Sequence, residues 1–428
     1  MRILLVGAGG VGNAIAKIAA ERDFFEVMVV SDYDLSRAES VVEWIRRRHG
    51  DDIAAKFLVS KIDASSAENV ADVAREFAVT HIINAVEPKF VPTIFAGAYT
   101  AEVNYLDMAM SLSEAHEDDP HHKPGIMLGD QQYALNEQWE RSGRLALVGM
   151  GVEPGLSNVF ARYAADYLFS EVDEISVKDG GNLVVRDDEG NEIFAPSFSI
   201  WTTIEECLNP PLMFEAGKGW YTTEPFSEPE IFEFPEGIGA VECVNVEHEE
   251  VTMLPRNIAA GKVTFKYGLG SEFIAVLKTL HTLGLDATKL QRVRSAQGPV
   301  DVAPRDMVAA VLPDPATIGP RMTGKTCAGL LVTGKDKEGR DRATYLYQVT
   351  DNADSMAEIE AQCVVAQTAF NPLIALELIA EGIWKGAGVM GPEQFDAKPF
   401  LDLMSSSTGY NIKWEAQERL PASPLRHP

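Results

Sequence analysis

The sequence predicts an α/β chain in two units. Residues 1–155 read as a doubly wound parallel sheet. Residues 156–352 read as an α+β unit with a mixed, largely antiparallel sheet. Three observations carry this reading. Short apolar runs alternate strictly with amphipathic segments as far as about residue 150, the pattern of parallel strands joined by right-handed crossovers. The first strand-to-helix turn is "GAGGVG". Beyond about residue 155 longer alternating runs replace that rhythm, with a hairpin signal in "DKEGR". At 428 residues the chain is long enough for two cores. Residues 353–415 are expected to return as helices to the first unit, and 416–428 to form a frayed tail.

The elements follow in order. "RILLVG" is a buried strand ending in glycine, and "VGNAIAKIAAER" is the helix after it. "EVMVVSD" is the second strand, and "LSRAESVVEWIRRRHG" a helix closed by glycine. "KFLVSKID" and "HIINAV" are strands three and four, separated by the helix "SAENVADVAREFA" with Ser65 or Ser66 as its N-cap. "VPTIFAGAYTAEV" is helix four and "NYLDMA" strand five. "YALNEQWERSG" is helix five, and "LALVGMGVEPG" strand six with its exit loop. In the second unit, "EISVKDGGNLVV", "KVTFKYGL" and "GLLVTGKDKEGRDRATYLYQVTD" are strands. "NVFARYAADYLF" and "SEFIAVLKTLHTLGL" are amphipathic helices. "AEIEAQCVVAQTAFNPLIALELIAEGIW" is a long apolar helix, broken near Pro372.

Gly7, Gly9 and Gly12 form G-x-G-x-x-G directly between a strand and a helix. That context makes the first unit a Rossmann-type dinucleotide-binding fold. Gly7 permits the turn, Gly9 lets backbone approach a pyrophosphate, and Gly12 lets the helix pack on the strand. Gly10 and Val11 open the helix, whose N-terminus favours phosphate. Asp32 ends the second strand, where a carboxylate accepts from the adenosine ribose hydroxyls and repels a 2′-phosphate. NAD is therefore favoured over NADP, with Arg37 the nearest cation for the alternative. Asn84, Ala85 and Val86, after strand four, are expected along the nicotinamide side.

The net charge of −27 argues against nucleic acid and suits a cationic substrate. Cys207, Cys243, Cys327 and Cys363 make no C-x-x-C pair, so free thiols in a reducing cytoplasm are expected. No apolar run reaches the roughly 20 residues of a membrane span, and no membrane partner or secretory leader is expected.

"GVEPGLSNVFARYAADYLF" and "INAVEPKFVPTIFAGAYTAEVNYLDMA" resemble the saccharopine dehydrogenase family. "GWYTTEPFSEPEIFEFPE" and "VLPDPATIGPRMTGKT" are similar to its carboxynorspermidine (carboxyspermidine) dehydrogenase branch. The resemblance runs over about residues 1–415. It implies a homodimer, and hydride transfer between a nicotinamide and a carbon bonded to nitrogen. The reaction is imine reduction or secondary-amine oxidation on an amino acid or polyamine conjugate. Oxidative ε-deamination of lysine is the alternative reaction, and a non-catalytic NAD-binding regulator the alternative class. The chain departs from the family pattern at Glu153, where aspartate is usual, and at Asp32, where the polyamine branch tends to carry arginine.

Such chemistry needs a group that gives or takes a proton at nitrogen. Asp107, at the end of strand five, is the first candidate, with loop capping as its other reading. Glu153, in the exit loop of strand six, is the second, with a helix-start role as its other reading. Arg321 and Lys325 are either a carboxylate anchor or surface charges. Phe198 and Trp201 either wall a cation-binding pocket or belong to the core. Glu205 and Glu206 either bind a distal ammonium or face solvent. The insertion "HEDDPHHKPG", residues 116–125, lacks metal-ligand spacing and reads as a lid or a solvated loop, so no metal is expected.

Overall fold

The computed structural model describes residues 1–419. Its first sheet starts from β1 (Arg2–Val6), β2 (Val27–Asp32), β3 (Phe57–Lys61), β4 (His81–Asn84), β5 (Asn104–Asp107) and β6 (Leu145–Leu147). All pairings are parallel. The spatial order is β6-β5-β4-β1-β2-β3, so the winding reverses between β1 and β4. A crevice opens at that reversal, beyond the carboxyl ends of the strands. Ile3, Leu4 and Leu5 have no exposed surface because helices cover both faces of the sheet. The register pairs Val6 with Asn84 and Asn84 with Asp107. Gly7, Ala85 and Met108 therefore leave the sheet side by side.

A seventh strand, Gly388–Met390, pairs with β6 and closes that edge. The sequence reading placed only helices in this part of the chain. Three residues carry no period of their own, and tertiary contacts fix the strand. Val389 N–H donates to Asn136 Oδ1 (2.8 Å). Gly388 has φ +104, and a Cβ there would lie 2.6 Å from Asn136 Oδ1, so only glycine fits.

The second sheet has nine strands. Phe169–Gly181 runs parallel to Lys262–Gly268, and the remaining pairings are antiparallel. Lys325–Asp336 and Asp341–Asp351 form the hairpin signalled by "DKEGR". Glu415–Arg419 adds an edge strand to it. Residues 416–419, expected in the tail, are therefore strand: Glu418 pairs with Arg342 (2.5 Å) and Tyr347 Oη donates to Glu415 (2.7 Å). The rest of that tail, 420–428, lies outside the described residues.

The long apolar helix divides at Glu360, which has φ +52, and not at Pro372. Asn352–Ile359 and Cys363–Ala380 are separate helices, and the second continues through Pro372. Burial of Ala369, Leu373, Ile374 and Ala375 on every side of that helix offsets the proline's cost of about 3 kcal/mol. This helix is apolar and long enough to cross a membrane, yet most of it is buried in the protein. It lies along the first helix, α1 (Gly10–Ala19). The Arg22–Glu377 ion pair (2.6 Å) and Lys17 Nζ donating to Ile359 O (2.9 Å) fasten the two units together.

Candidate active site

The glycine loop is shaped for a dinucleotide. Gly7 has φ +99, and a Cβ there would meet Val86 Cγ1 at 2.6 Å. A Cβ on Gly12 would lie 1.9 Å from Gly7 O, so α1 packs directly on the loop backbone. Nothing lies within 4 Å of a Cβ built on Gly9, so the space a pyrophosphate needs is open there. No side chain caps α1, which leaves its first N–H groups for an anion. A Cβ on Gly10 would lie 3.3 Å from Val365, in the helix Cys363–Ala380, and 3.8 Å from Ala316 of the second unit. Val11 is partly buried beside it. The residues present fit the cofactor.

Asp32 is buried and anchored. Its Oδ2 accepts from Ala8 N–H (2.8 Å) and its Oδ1 from Asp34 N–H (3.0 Å). Beyond it Tyr33 is exposed, with the Arg37 guanidinium 5.6 Å from its ring centre. Asn84 is turned inward. Its amide donates to Tyr105 Oη (3.0 Å) and its Oδ1 accepts from Val86 N–H (3.2 Å). It braces the Ala85–Val86 turn against Gly7.

Asp107 is also buried. Oδ1 accepts from Gly149 N–H (2.6 Å) and Oδ2 from the Gln132 amide (2.7 Å). Burial raises its carboxyl to about 7, against the pull of those bonds. Oδ1 thereby holds the loop that leads from β6 to Glu153, and Oδ2 holds the helix Asp130–Tyr133.

Glu153 is half-buried at the mouth of the second sheet. Its Oε1 accepts from Gly329 N–H (3.1 Å), and its carboxyl is hydrogen-bonded to that of Asp179, near the end of Phe169–Gly181. Burial pushes Glu153 well up, and the charges of Asp179 and Glu250 push it further. Burial raises Asp179 as well, while its bond to Glu153 and the nearby His248 pull it back down. The two carboxyls thus share one proton, with Glu153 its principal holder.

Beside them His248 stacks flat on Phe265, with ring centres 3.8 Å apart. Its Nδ1–H donates to Glu250 Oε2 (2.5 Å), and Ser157 Oγ–H donates to Glu250 Oε1 (2.7 Å). Burial alone lowers the imidazole. Glu250, Glu249 and Glu206 outweigh it and raise His248 to about 10, so it is an imidazolium. Burial lifts Glu206 to about 8, helped by Glu249, Glu250 and Glu247 and opposed by His248. Glu247 is lifted to about 7 by burial. Glu249 Oε1 accepts from Met110 N–H (3.0 Å) and Glu247 Oε2 from Ser113 Oγ–H (2.8 Å). These two bonds press the acidic segment onto the loop after β5. The ligand atoms of His248, Glu249 and Glu250 lie within 4.8 Å of one another, and Nδ1 of His248 is engaged with Glu250.

The other candidates sit apart from this cluster or are engaged within the chain. Trp201 Nε1–H donates to Asp306 (3.2 Å), and its ring carries Arg305 at 4.7 Å and Lys89 at 5.8 Å. Phe198 is half-buried just before the helix Ile200–Leu208. Glu205 is paired with Arg305. Lys325 pairs with Glu236 (3.8 Å), and Arg321 is exposed. The 116–125 insertion folds on itself through His122–Asp119 (2.7 Å). Together with Pro210, Leu212 and Thr222 of the second unit it lines a small pocket. All four cysteines are free and buried.

Two family models match in tandem: the saccharopine dehydrogenase NADP binding domain over residues 3–147, and the saccharopine dehydrogenase C-terminal domain over 151–410. The chain belongs to the saccharopine dehydrogenase family. It is 29% identical to the carboxynorspermidine synthase of Vibrio alginolyticus, over 100% of this chain and 99% of that one. It is 27% identical to the carboxyaminopropylagmatine dehydrogenase of a Synechocystis species, over 94% of each chain. The apo saccharopine dehydrogenase (L-Glu forming) of Saccharomyces cerevisiae shares the fold, with a TM-score of 0.67 at 12% identity over 98% of this chain and all of that one. This member of the family is an NAD(P)-dependent dehydrogenase.

Several residues of this cluster escaped the sequence reading, Glu247 and Glu249 among them. Asp179 lay inside a strand pattern, marked only by the glycines of "KDGG". His248 and Glu250 lay in "VEHEE", where a histidine flanked by acids was the available signal.

Proposed function

We propose that this dehydrogenase acts on the C–N bond of a carboxylated polyamine conjugate, of the carboxynorspermidine or carboxyaminopropylagmatine kind, with NAD as its cofactor. The observation that carries the reading is the hydrogen-bonded carboxyl pair Glu153–Asp179 among the buried groups Glu206, His248, Glu249 and Glu250. The nicotinamide, when bound, supplies or accepts the hydride. In the reductive direction Glu153 gives its proton to the imine nitrogen as the neighbouring carbon gains the hydride, and the C=N bond becomes C–N. In the oxidative direction the ionised pair takes the proton from the secondary amine. The His248 imidazolium keeps Asp179 the ionised partner, so the pair stays poised for either step. Glu206, Glu247 and Glu249 supply buried carboxyls that would ionise as they pair with the distal ammonium groups of such a substrate.

Asp107 serves as a positioning residue: through Gly149 it sets the loop that ends in Glu153. Asp32 favours NAD, since a buried, acceptor-only carboxylate meets a 2′-phosphate with like charge. The buried free thiols fit a cytoplasmic enzyme, and a homodimer is part of this reading. The test is a panel of carboxynorspermidine, carboxyaminopropylagmatine, saccharopine and lysine, each with NAD and NADP, followed by reduced-nicotinamide absorbance. Turnover of the carboxylated polyamines well above the rest supports the reading. Ammonia release from lysine as the main activity overturns it.

A further inference from the structure

The 116–125 insertion encloses a small cavity beside the acidic segment. Pro120 and Pro124 of the insertion line it, with Ser113 from the loop after β5, Leu212 and Thr222 from the second sheet, and Glu247. The register sets Leu212 opposite Thr222, so these two side chains stand on one face of their strands. The cavity holds about 20 Å³. That is little more than the roughly 10–15 Å³ which one water-sized group needs.

Two of these side chains have an acceptor left over. Glu247 is 7% exposed, and its Oε2 accepts from Ser113 Oγ–H (2.8 Å) and the Asn209 amide (2.9 Å). Its Oε1 has no donor, and its carboxyl no ion-pair partner, among the described residues. Thr222 is also 7% exposed, and its Oγ1 is buried with no hydrogen-bond partner among the described residues. Buried polar atoms are seldom left so. Lys123 and His116 line the cavity too, but both are turned to the insertion itself. Lys123 Nζ lies 3.6 Å from Asp119, and His116 Nδ1 accepts from Asp118 and Asp119 N–H (both 3.2 Å). At the other end of the acidic segment, Glu250 acts on Glu153 by its charge. Three residues of chain span at most about 10 Å, so an aminoalkyl arm lying along this segment would pass from the proton pair to the cavity.

We propose that this cavity seats the far terminus of the substrate and selects a primary ammonium over a guanidinium. This rests on the carboxylated-polyamine reading above and adds which terminus that substrate carries. Glu247 Oε1 and Thr222 Oγ1 accept two of the ammonium N–H groups. Leu212, Pro120 and Pro124 pack on the methylenes that lead to it. A compact ammonium fits the space, whereas the planar guanidinium is several times bulkier and must push the insertion aside. The insertion thereby sets the selectivity for the terminus.

Calorimetry on the full chain saturated with NADH, in which a secondary amine binds without reacting, tests it with two probes. Carboxynorspermidine ends in a primary ammonium, and carboxyaminopropylagmatine ends in a guanidinium. The wild type should bind the first at least about tenfold more tightly. Glu247→Gln should weaken the first at least about tenfold and leave the second unchanged, so that the preference collapses. Thr222→Val keeps the shape and removes only the hydroxyl. It should keep the melting temperature and weaken the first probe about threefold or more. Equal binding of the two probes by the wild type, or a Glu247→Gln that weakens both alike or neither, overturns the assignment of the cavity and leaves the reaction above standing. If neither probe binds and neither is turned over, the substrate class itself falls, and this assignment with it.

Discussion

Glu153, in the loop after β6, and Asp179, near the end of Phe169–Gly181, share a hydrogen bond between their carboxyl groups. One of two such groups must carry a proton, since both cannot ionise at contact. If that proton serves the reaction, Glu153→Gln removes it while keeping the Gly329 N–H bond to a side-chain oxygen. The expected loss in kcat is about 10²–10⁴-fold, with little change in cofactor affinity. Asp179→Asn should cut kcat and shift the pH–rate profile, because Glu153 then titrates without its partner. Rate measurements across pH on both variants check this. A profile identical to the wild type's in Asp179→Asn would remove the pair from proton transfer.

Asp107 is expected to behave differently. Asparagine there keeps an acceptor for Gly149 but sets an amide against the Gln132 amide, whose own Oε1 is taken by Ser111 N–H at 2.8 Å. Asp107→Asn should lower stability by about 1–3 kcal/mol. It should slow turnover while leaving the shape of the pH–rate profile unchanged. A lost ionisation in that profile would assign Asp107 to the chemistry.

The glycines of the loop separate packing from binding. Gly12→Ala forces a Cβ into Gly7 O and should cost about 2–4 kcal/mol of stability. Gly9→Ala meets no protein atom, so its melting temperature should match the wild type's. Its dissociation constant for the dinucleotide should rise at least about tenfold. Calorimetry with NAD on both variants reads the two effects apart.

This contrast also shows where the sequence was legible. The turn glycines and the strand-end acids are local features, fixed by chain geometry, and the parallel unit follows from them and from apolar runs buried on both faces. The carboxyl pair is not local. Phe169–Gly181 carries Asp179, and Lys325–Asp336 beside it, whose register partners lie 145 to 167 residues away in sequence, holds Glu153 through Gly329 N–H. The Gly388–Met390 strand was equally hidden, since its pairing and not its pattern makes it a strand. Trp201 read as a candidate cation receptor, and it does hold cations, but they are Arg305 and Lys89 of the same chain.

Cofactor choice tests Asp32. The wild type should use NAD with kcat/KM at least about tenfold above NADP. Asp32→Asn, which keeps an acceptor and removes the charge, should raise the NADP-to-NAD ratio about tenfold. A wild type that prefers NADP would mean that Arg37 sets the choice.

The buried acids make a pH prediction for the free enzyme. Asp107, Glu206 and Glu247 are raised to about 7, 8 and 7. Each is protonated more readily in the folded than in the unfolded chain. Their stabilisation is present below the unfolded values and is lost as pH climbs through about 7 to 8. The melting temperature should therefore fall between pH ~5 and ~8.5. Glu206→Gln should raise it by about 1–3 °C at the upper pH and leave it nearly unchanged at the lower.

Isotope transfer tests the central claim most directly. The enzyme is given nicotinamide cofactor carrying deuterium at the hydride position, a diamine and a carboxylated aldehyde, and the product is read by mass spectrometry. Hydride transfer at the C–N bond predicts a secondary amine with a single deuterium on the carbon beside nitrogen. Deuterium found in an alcohol, or an amine formed without label, would contradict it.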